Sequence, residues 1–277
     1  MTGDLRASAR VGDDVRLYYE VAKRAFARQT VYRAATLAGL AANSFFGAMR
    51  TYLYIALFAG SGVVAGWTVD DTVNYVWIGQ AIIMPVYLWG WQEIALTIRS
   101  GDVISDLSKP FDYYSFWLAQ DAGRAVYHTI FRAIPTLTVG LLLFDVRLAA
   151  DPGIWLAFLV SLVGAVWISF GLRFLANIAS FWLLDYRAMI VALMFGTSFF
   201  SGHLVPLNFW PEWARDMVIW LPFAGMVQAP VEVLLGKALG VELAALLAFQ
   251  FGWGLALMLL GRAVLALAVR KVVVQGG

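Results

Sequence analysis

Apolar residues arrive along this chain in blocks of about twenty, the helix length that crosses a hydrocarbon layer roughly 30 Å thick. The blocks lie near residues 35–59, 73–98, 125–144, 154–178, 188–207 and 241–269, and each predicts a membrane-spanning helix, six in all. Ahead of them, residues 15–31 place Val15, Tyr18, Tyr19, Ala22 and Phe26 at helical spacing opposite Lys23, Arg24 and Arg28. That pattern suits a helix lying in the membrane surface or an amphipathic cytoplasmic helix packed on protein. Residues 208–240 read differently: Pro206-Leu207-Asn208-Phe209-Trp210-Pro211 precedes an apolar run, 217–227, interrupted by Pro222 and Gly225 and too short to cross. Irregular backbone at membrane depth must be satisfied by protein or a water-filled cavity. The segment is expected to form interfacial or re-entrant helices on the external face, with Trp210, Trp213 and Trp220 at headgroup level. The fold class expected is an all-α membrane protein: a cytoplasmic amino-terminal part over 1–34, a six-span domain over 35–269 with an inner loop at 99–124, and a tail over 270–277.

Composition agrees with this reading, since hydrophobic residues make up 61% of the 277 and charged residues 14%. Soluble domains average roughly 45–50% and about 25%. With no cysteine there is no disulfide framework, thiolate nucleophile or thiolate metal site. The net charge of +2 identifies no acidic partner, but its distribution sets an orientation. Lys and Arg gather on the cytoplasmic side of short loops, and an inside amino terminus gives that side Arg6, Arg10, Arg16, Lys23, Arg24, Arg28, Arg33, Arg99, Lys109, Arg124, Arg187, Arg270 and Lys271. The outside receives Arg147, Arg215 and Lys237. Both termini are expected in the cytoplasm, without a signal peptide.

Polar residues inside spans are the default functional candidates, because charge there is costly. Arg50 lies deep in the first span, too far from either end to snorkel with ease, and is the leading candidate for a cavity-facing charge. Glu93 near the inner end of span two and Arg132 two turns into span three are expected to form a structural ion pair. Gln80 and Asn43 suit interhelical glue or a path lining, whereas Arg173 and Arg262 lie near helix ends, where snorkelling accounts for them.

No catalytic or metal set is expected. A phosphate loop is missing, Gly236-Lys237 lacking the upstream glycine and the following hydroxyl. H-E-x-x-H and G-x-S-x-G are absent, and Ser201-Gly202-His203 has no orienting third group. The two histidines, His128 and His203, would stand roughly 18 Å apart in depth, too far to share one iron. The most distinctive loop follows span two. Ser100 and Gly101 can end a helix, Asp102 or Ser105 can cap a new one, and Pro110 ends that in turn. The product is a short helix across the cytoplasmic face, a docking knob with Phe111, Tyr113 and Tyr114 beside it, or a plain connector.

The order and spacing of several short segments carry a family resemblance: Tyr75-Val76-Trp77-Ile78-Gly79-Gln80, Ile98-Arg99-Ser100-Gly101-Asp102, Leu107-Ser108-Lys109-Pro110-Phe111-Asp112 and Asp121-Ala122-Gly123-Arg124. Further along come Phe181-Trp182-Leu183-Leu184-Asp185-Tyr186-Arg187, Ser201-Gly202-His203-Leu204-Val205-Pro206-Leu207, Leu221-Pro222-Phe223 and the terminal Val274-Gln275-Gly276-Gly277. Across almost its whole length the chain resembles the integral membrane permease of a bacterial type-two ABC exporter, in the six-span subset often found as two permeases with one ATPase. Lys109 stands where that family more often carries Arg, which keeps the charge but loses a planar fork of donors.

The resemblance implies the type-two permease fold in a bacterial cytoplasmic membrane, a second permease copy or homologue, and a separate ATP-binding cassette subunit that holds ATP and magnesium. No cofactor is implied in this chain, and no nucleic-acid partner. Gly101, Asp102, Lys109, Pro110 and Asp112 would form the surface coupling to the ATPase. Spans one, two and five would enclose the substrate path, with Asn43, Arg50, Gln80 and Ser198 as lining residues. The function implied is export of an amphipathic drug, antibiotic or lipid. An ion- or proton-coupled carrier, which ordinarily needs midplane carboxylates, and a non-transporting membrane scaffold are the alternatives.

Overall fold

The computed structural model describes residues 2–60, 62–88, 91–183 and 185–270, with side chains from residue 14 onward. The side chains of Arg6 and Arg10, Leu184, Lys271 and the terminal Val274-Gln275-Gly276-Gly277 therefore lie outside the described residues. The described chain is all-helical, 79% helix, and holds no strand. Its helices are α1 (Thr2–Gln29), α2 (Arg33–Phe58), α3 (Val69–Val86), α4 (Glu93–Ser100), α5 (Val103–Leu107), α6 (Tyr113–His128), α7 (Ile134–Leu143), α8 (Pro152–Ile178), α9 (Arg187–Phe200), α10 (Glu212–Val218), α11 (Gln228–Leu234) and α12 (Gly240–Val269).

Among the described residues, three helical runs are long and apolar enough to cross a bilayer: Tyr113–Leu143, Pro152–Phe181 and Gly240–Val269. Of the expected spans, the third starts well upstream, at Tyr113, and is continuous through a π turn, Thr129–Ala133, that joins α6 to α7. The second is not one helix. It stops at Val86, where Tyr87 takes a left-handed conformation (φ 61°), and resumes as α4. The fifth ends at Phe200, and its 14 residues give only about 21 Å of helix. The first, α2, has the length, 26 residues, but carries Asn43 and Arg50 and is less apolar than the three. The external segment contains a bent pair, Glu212–Val218 and Pro222–Leu234, turning through 77°.

The core sits around α8. Tyr75, Ile78 and Ile82 of α3, Ile168 of α8, Val227 and Val231 and Leu257 of α12 form one buried cluster, and Ile94, Tyr114, Phe170 and Phe174 form a second nearer α4. Between lipid-facing helices the cohesive force is close packing rather than expulsion of water, and interhelical hydrogen bonds add only about 0.6 kcal/mol each. Such a bond set links α8 to α12: Ser161 Oγ donates to Gln250 Oε1 (2.8 Å), and Gln250 Nε2 donates to the carbonyls of Ser161 (3.1 Å) and Gly225 (2.7 Å). On the expected outer side, Lys237 pairs with Asp71 (3.1 Å) and lies over the Trp67 ring, tying the bent segment to the start of α3.

The amino-terminal helix packs on protein. Its axis lies so close to α6 that a Cβ on Gly123 would stand 2.0 Å from the Ala22 carbonyl oxygen, so only glycine fits there. Phe26 meets Tyr127 edge-on, and the Tyr18 hydroxyl accepts from the Asp112 N–H (3.3 Å). Val15 and Tyr19 of the same stripe point outward and are exposed.

Candidate functional site

Every break in these helices leaves carbonyl or amide groups without the partners an unbroken helix supplies, and at membrane depth protein must supply them. Side chains from other helices do so here, and they define the functional region.

The first such break borders a cavity of about 920 Å³ between α2, α3, the π turn and the segment after α9. Phe46, Met49, Leu53 and Leu57 present an apolar stripe at helical spacing, and Asn43, Arg50, Gln80, Arg132 and His203 add the polar groups. Arg50 is 9% exposed and donates through Nη2 to the carbonyls of His203 and Leu204, capping the chain where α9 has ended, while Nη1 has no partner. Arg132 is 8% exposed and lies against α2, where a Cβ on Gly39 would come within 2.1 Å of its Nη2. It projects from the π turn, a device that re-aims a side chain and recurs at functional sites. Asn43, Arg50 and Gln80 thus meet on one cavity. Ser198 does not line it: it is buried near the end of α9, and its carbonyl accepts from the Leu204 N–H (3.3 Å). Arg132 and His203 belong to the wall and escape the sequence reading, which gave Arg132 to an ion pair and weighed His203 only as a nucleophile's base or iron ligand.

The expected pair of Glu93 and Arg132 does not form. Because α3 stops at Val86 and a separate helix starts at Glu93, Glu93 opens α4 near α1 and meets Arg28 (3.2 Å) in an exposed pair. Such pairs contribute about 0–1 kcal/mol.

A second break, at the end of α3, is held by a buried ionic triad. Asp121 accepts from Arg124 Nε (2.8 Å) and from Arg173 Nη1 (3.1 Å) and Nη2 (2.8 Å). Arg124 then donates to the terminal carbonyls of α3, Met84 (2.8 Å) and Pro85 (2.9 Å), and lies over the Tyr87 ring. Arg173 is therefore no snorkelling residue. Nor is Arg262, which pairs with Asp112 (2.8 Å) and reaches Ser115 Oγ (3.2 Å).

The third break starts α4. Gln92 supplies no side-chain cap, and Asn177 of α8 takes its place: Oδ1 accepts from the Ala95 N–H (2.9 Å), and Nδ2 donates to the carbonyls of Trp91 and Arg173 (2.7 Å each). So anchored, α4 ends at Gly101, whose positive φ of 85° turns the chain into α5. Gly101, Asp102, Lys109, Pro110 and Asp112 are all exposed, and Val103 plugs the foot they form into the core. Ser100 Oγ donates to Asp102 (2.6 Å) and Lys109 pairs with Asp106 (2.7 Å). Asp112 caps α6 by accepting from the Ser115 N–H (2.8 Å). Partial burial raises its carboxyl pKa, but Ser115 and Arg262 outweigh that and hold it below the usual carboxylate range. Tyr113 and Tyr114 are buried in the second core cluster and are not part of a docking knob; Phe111 stacks on Phe116 (4.6 Å).

The family model of the ABC-2 family transporter proteins matches residues 46–276. The chain belongs to that family. The match starts within α2 and takes in the cavity's apolar stripe, the foot and α12. No curated protein and no solved structure matches the chain. As an ABC-2 permease it is a multi-pass membrane component of an ABC transporter and not its hydrolysing subunit, and permeases of this family normally pair with an ATP-binding subunit.

Proposed function

We propose that this ABC-2 permease exports an amphipathic small molecule, a drug, antibiotic or lipid, with ATP hydrolysed on a separate subunit docked against the foot at α4–α5. In this reading the chain makes six passes, α2, α3 with α4, α6–α7, α8, α9 and α12, with both termini in the cytoplasm of a bacterium. The shorter passes, α3 and α9, are completed by non-helical chain at Tyr87–Leu88 and Ser201–Pro206, where protein side chains and the cavity satisfy the backbone. A second permease, a copy or a homologue, covers the open side of the cavity, where Phe46, Met49, Leu53 and Leu57 are about half exposed or more.

The observation that carries the reading is a mechanical one. The exposed foot is fastened by Asn177 to α8, α8 by Arg173 and Asp121 to Arg124, and Arg124 to the end of α3, whose Gln80, Ile83 and Met84 line the cavity. Movement of the foot reaches the cavity wall through Asn177 and Arg173 of α8 and Asp121 and Arg124 of α6, a rigid-body relay between two arrangements. An ion-coupled carrier finds less support, since no carboxylate lies on the cavity wall.

The test is reconstitution of the permease with its ATP-binding subunit. Removing residues 101–112, or replacing Asp102 and Lys109 by residues of opposite charge, is expected to abolish stimulation of the subunit's ATPase while the permease remains folded. Full stimulation by the loop-deleted chain would refute the docking assignment.

A further inference from the structure

The cavity wall is apolar on one side and polar on the other, and the only charges among its lining residues are cationic. Among its lining residues there is no Asp or Glu, and two arginines, each more than nine-tenths buried, face into it. Arg50 Nη1 and Arg132 Nε have no hydrogen-bond partner, and neither has the Asn43 Nδ2 amide nitrogen. Buried donors normally find acceptors, and buried cations normally find anions.

The described residues offer none on the cavity wall. Asp121 is taken by Arg124 and Arg173, Glu93 by Arg28, and Glu232 accepts from Gln228 (2.7 Å). The helices α2, α7 and α9 contain no carboxylate. Arg50 donates to two carbonyl oxygens and interacts with the Tyr54 hydroxyl, neutral partners that satisfy donors but do not neutralise a charge. From Gly39, where Arg132 rests, Arg50 lies about 16 Å further along α2, with Phe46 and Met49 between.

We propose that the cavity binds an amphipathic anion: an apolar body laid along Phe46, Met49, Leu53 and Leu57, with a carboxylate, sulfonate or phosphate group held by Arg132 or Arg50. The assignment rests on the permease reading and narrows it from amphipathic molecules in general to those carrying a negative charge. The two guanidiniums offer an anion two sites, Arg132 ahead of the apolar stretch, against Gly39, and Arg50 midway along it. Donor-rich arginine forks suit oxyanions, and the same wall disfavours an amphipathic cation by direct repulsion.

The experiment uses the full chain in phosphatidylcholine nanodiscs and two dyes of one skeleton, anilinonaphthalene sulfonate and the uncharged phenylnaphthylamine, with empty discs as the blank. The sulfonate is expected to bind saturably and about tenfold or more tightly than the neutral dye, a difference typical of one charged hydrogen-bonded contact. Arg132→Gln is expected to remove most of that preference and Arg132→Lys to retain part of it, while Arg147→Gln, on an exposed loop, leaves it unchanged. Arg132 makes no side-chain hydrogen bond, so its loss does not undo a cap, whereas Arg50→Gln does and is read only alongside a melting curve.

Adding phosphatidylglycerol to the discs separates the sources of the anion. Competition with the sulfonate identifies a lipid headgroup as an occupant, and undiminished binding identifies a soluble anion. Equal binding of the two dyes, or full preference retained by both the Arg132→Gln and Arg50→Gln chains, would overturn the proposal. Its failure is distinct from failure of the permease reading. ATP-dependent movement of both dyes without discrimination removes the anion site and keeps the transporter, and sulfonate preference without ATP-dependent movement does the reverse.

Discussion

Replacing Asp121 by alanine is expected to destabilise the folded chain by about 3–5 kcal/mol, the usual consequence of leaving a buried charge without its partner. Two guanidiniums would then face each other, since Arg124 and Arg173 share this one carboxylate. The residue is 2% exposed, so water is not at hand to replace it. Loss of native Trp emission and of a monodisperse elution peak at a lower temperature measures the effect. A second arm separates stability from function. Changing Asp121 to Leu together with Arg124 and Arg173 to Met replaces the triad by apolar groups, which ordinarily restores most of the stability. It does not restore the bonds from Arg124 to the Met84 and Pro85 carbonyls, so the relay to α3 stays broken. The triple variant is therefore expected to melt near the parent yet fail to stimulate the ATP-binding subunit. An Asp121→Ala chain that melts like the parent would remove the triad from the account.

Asn177→Ala is expected to uncouple the foot. The side chain replaces a cap that Gln92 does not provide, and without it the buried Ala95 N–H and the Trp91 carbonyl lose their partner. Each such orphan costs about 1–3 kcal/mol, a large share of what holds an eight-residue helix in place. Hydrogen exchange is expected to rise several-fold over residues 93–107 with little change in α12, and stimulated ATPase activity to fall while the complex still co-purifies. Asn177→Asp keeps the acceptor for Ala95 but loses both donated bonds, so its exchange should lie between the two. Unchanged protection of α4 in the alanine variant would show that packing alone positions the foot.

The sequence revealed what depends on local pattern. Ser100-Gly101 and Pro110 bracket the foot because a left-handed turn and a missing N–H act on the nearest few residues. Arg50 was legible from its depth alone, a one-dimensional quantity. Arg173 was not: its partner Asp121 is 52 positions away, and a lone arginine near a helix end looks the same whether it snorkels or anchors a triad. Arg262 failed for the same reason, its partner Asp112 being 150 positions upstream. The break at Tyr87 lies in a mainly apolar stretch whose Pro85 and Gly90 are compatible with either one bent helix or two, and backbone conformation distinguishes them. That break misplaced Glu93, and with it the supposed pair with Arg132. Ser198 was put on the path because it belongs to the fifth apolar block, but periodicity around a helix of 14 residues does not say which face meets the cavity.

In the proposed function, displacement of the foot moves the cavity wall. Because the chain contains no cysteine, two can be introduced without background, at Ile104 on the foot and Leu57 at the far end of the cavity stripe, both partly exposed. Spin labels at these sites, in the permease assembled with its ATP-binding subunit, report the distance between them with and without trapped ATP. The account predicts a change of several ångströms on ATP binding that disappears in the Asn177→Ala chain. An invariant distance while the assembled complex hydrolyses ATP and transports would contradict it.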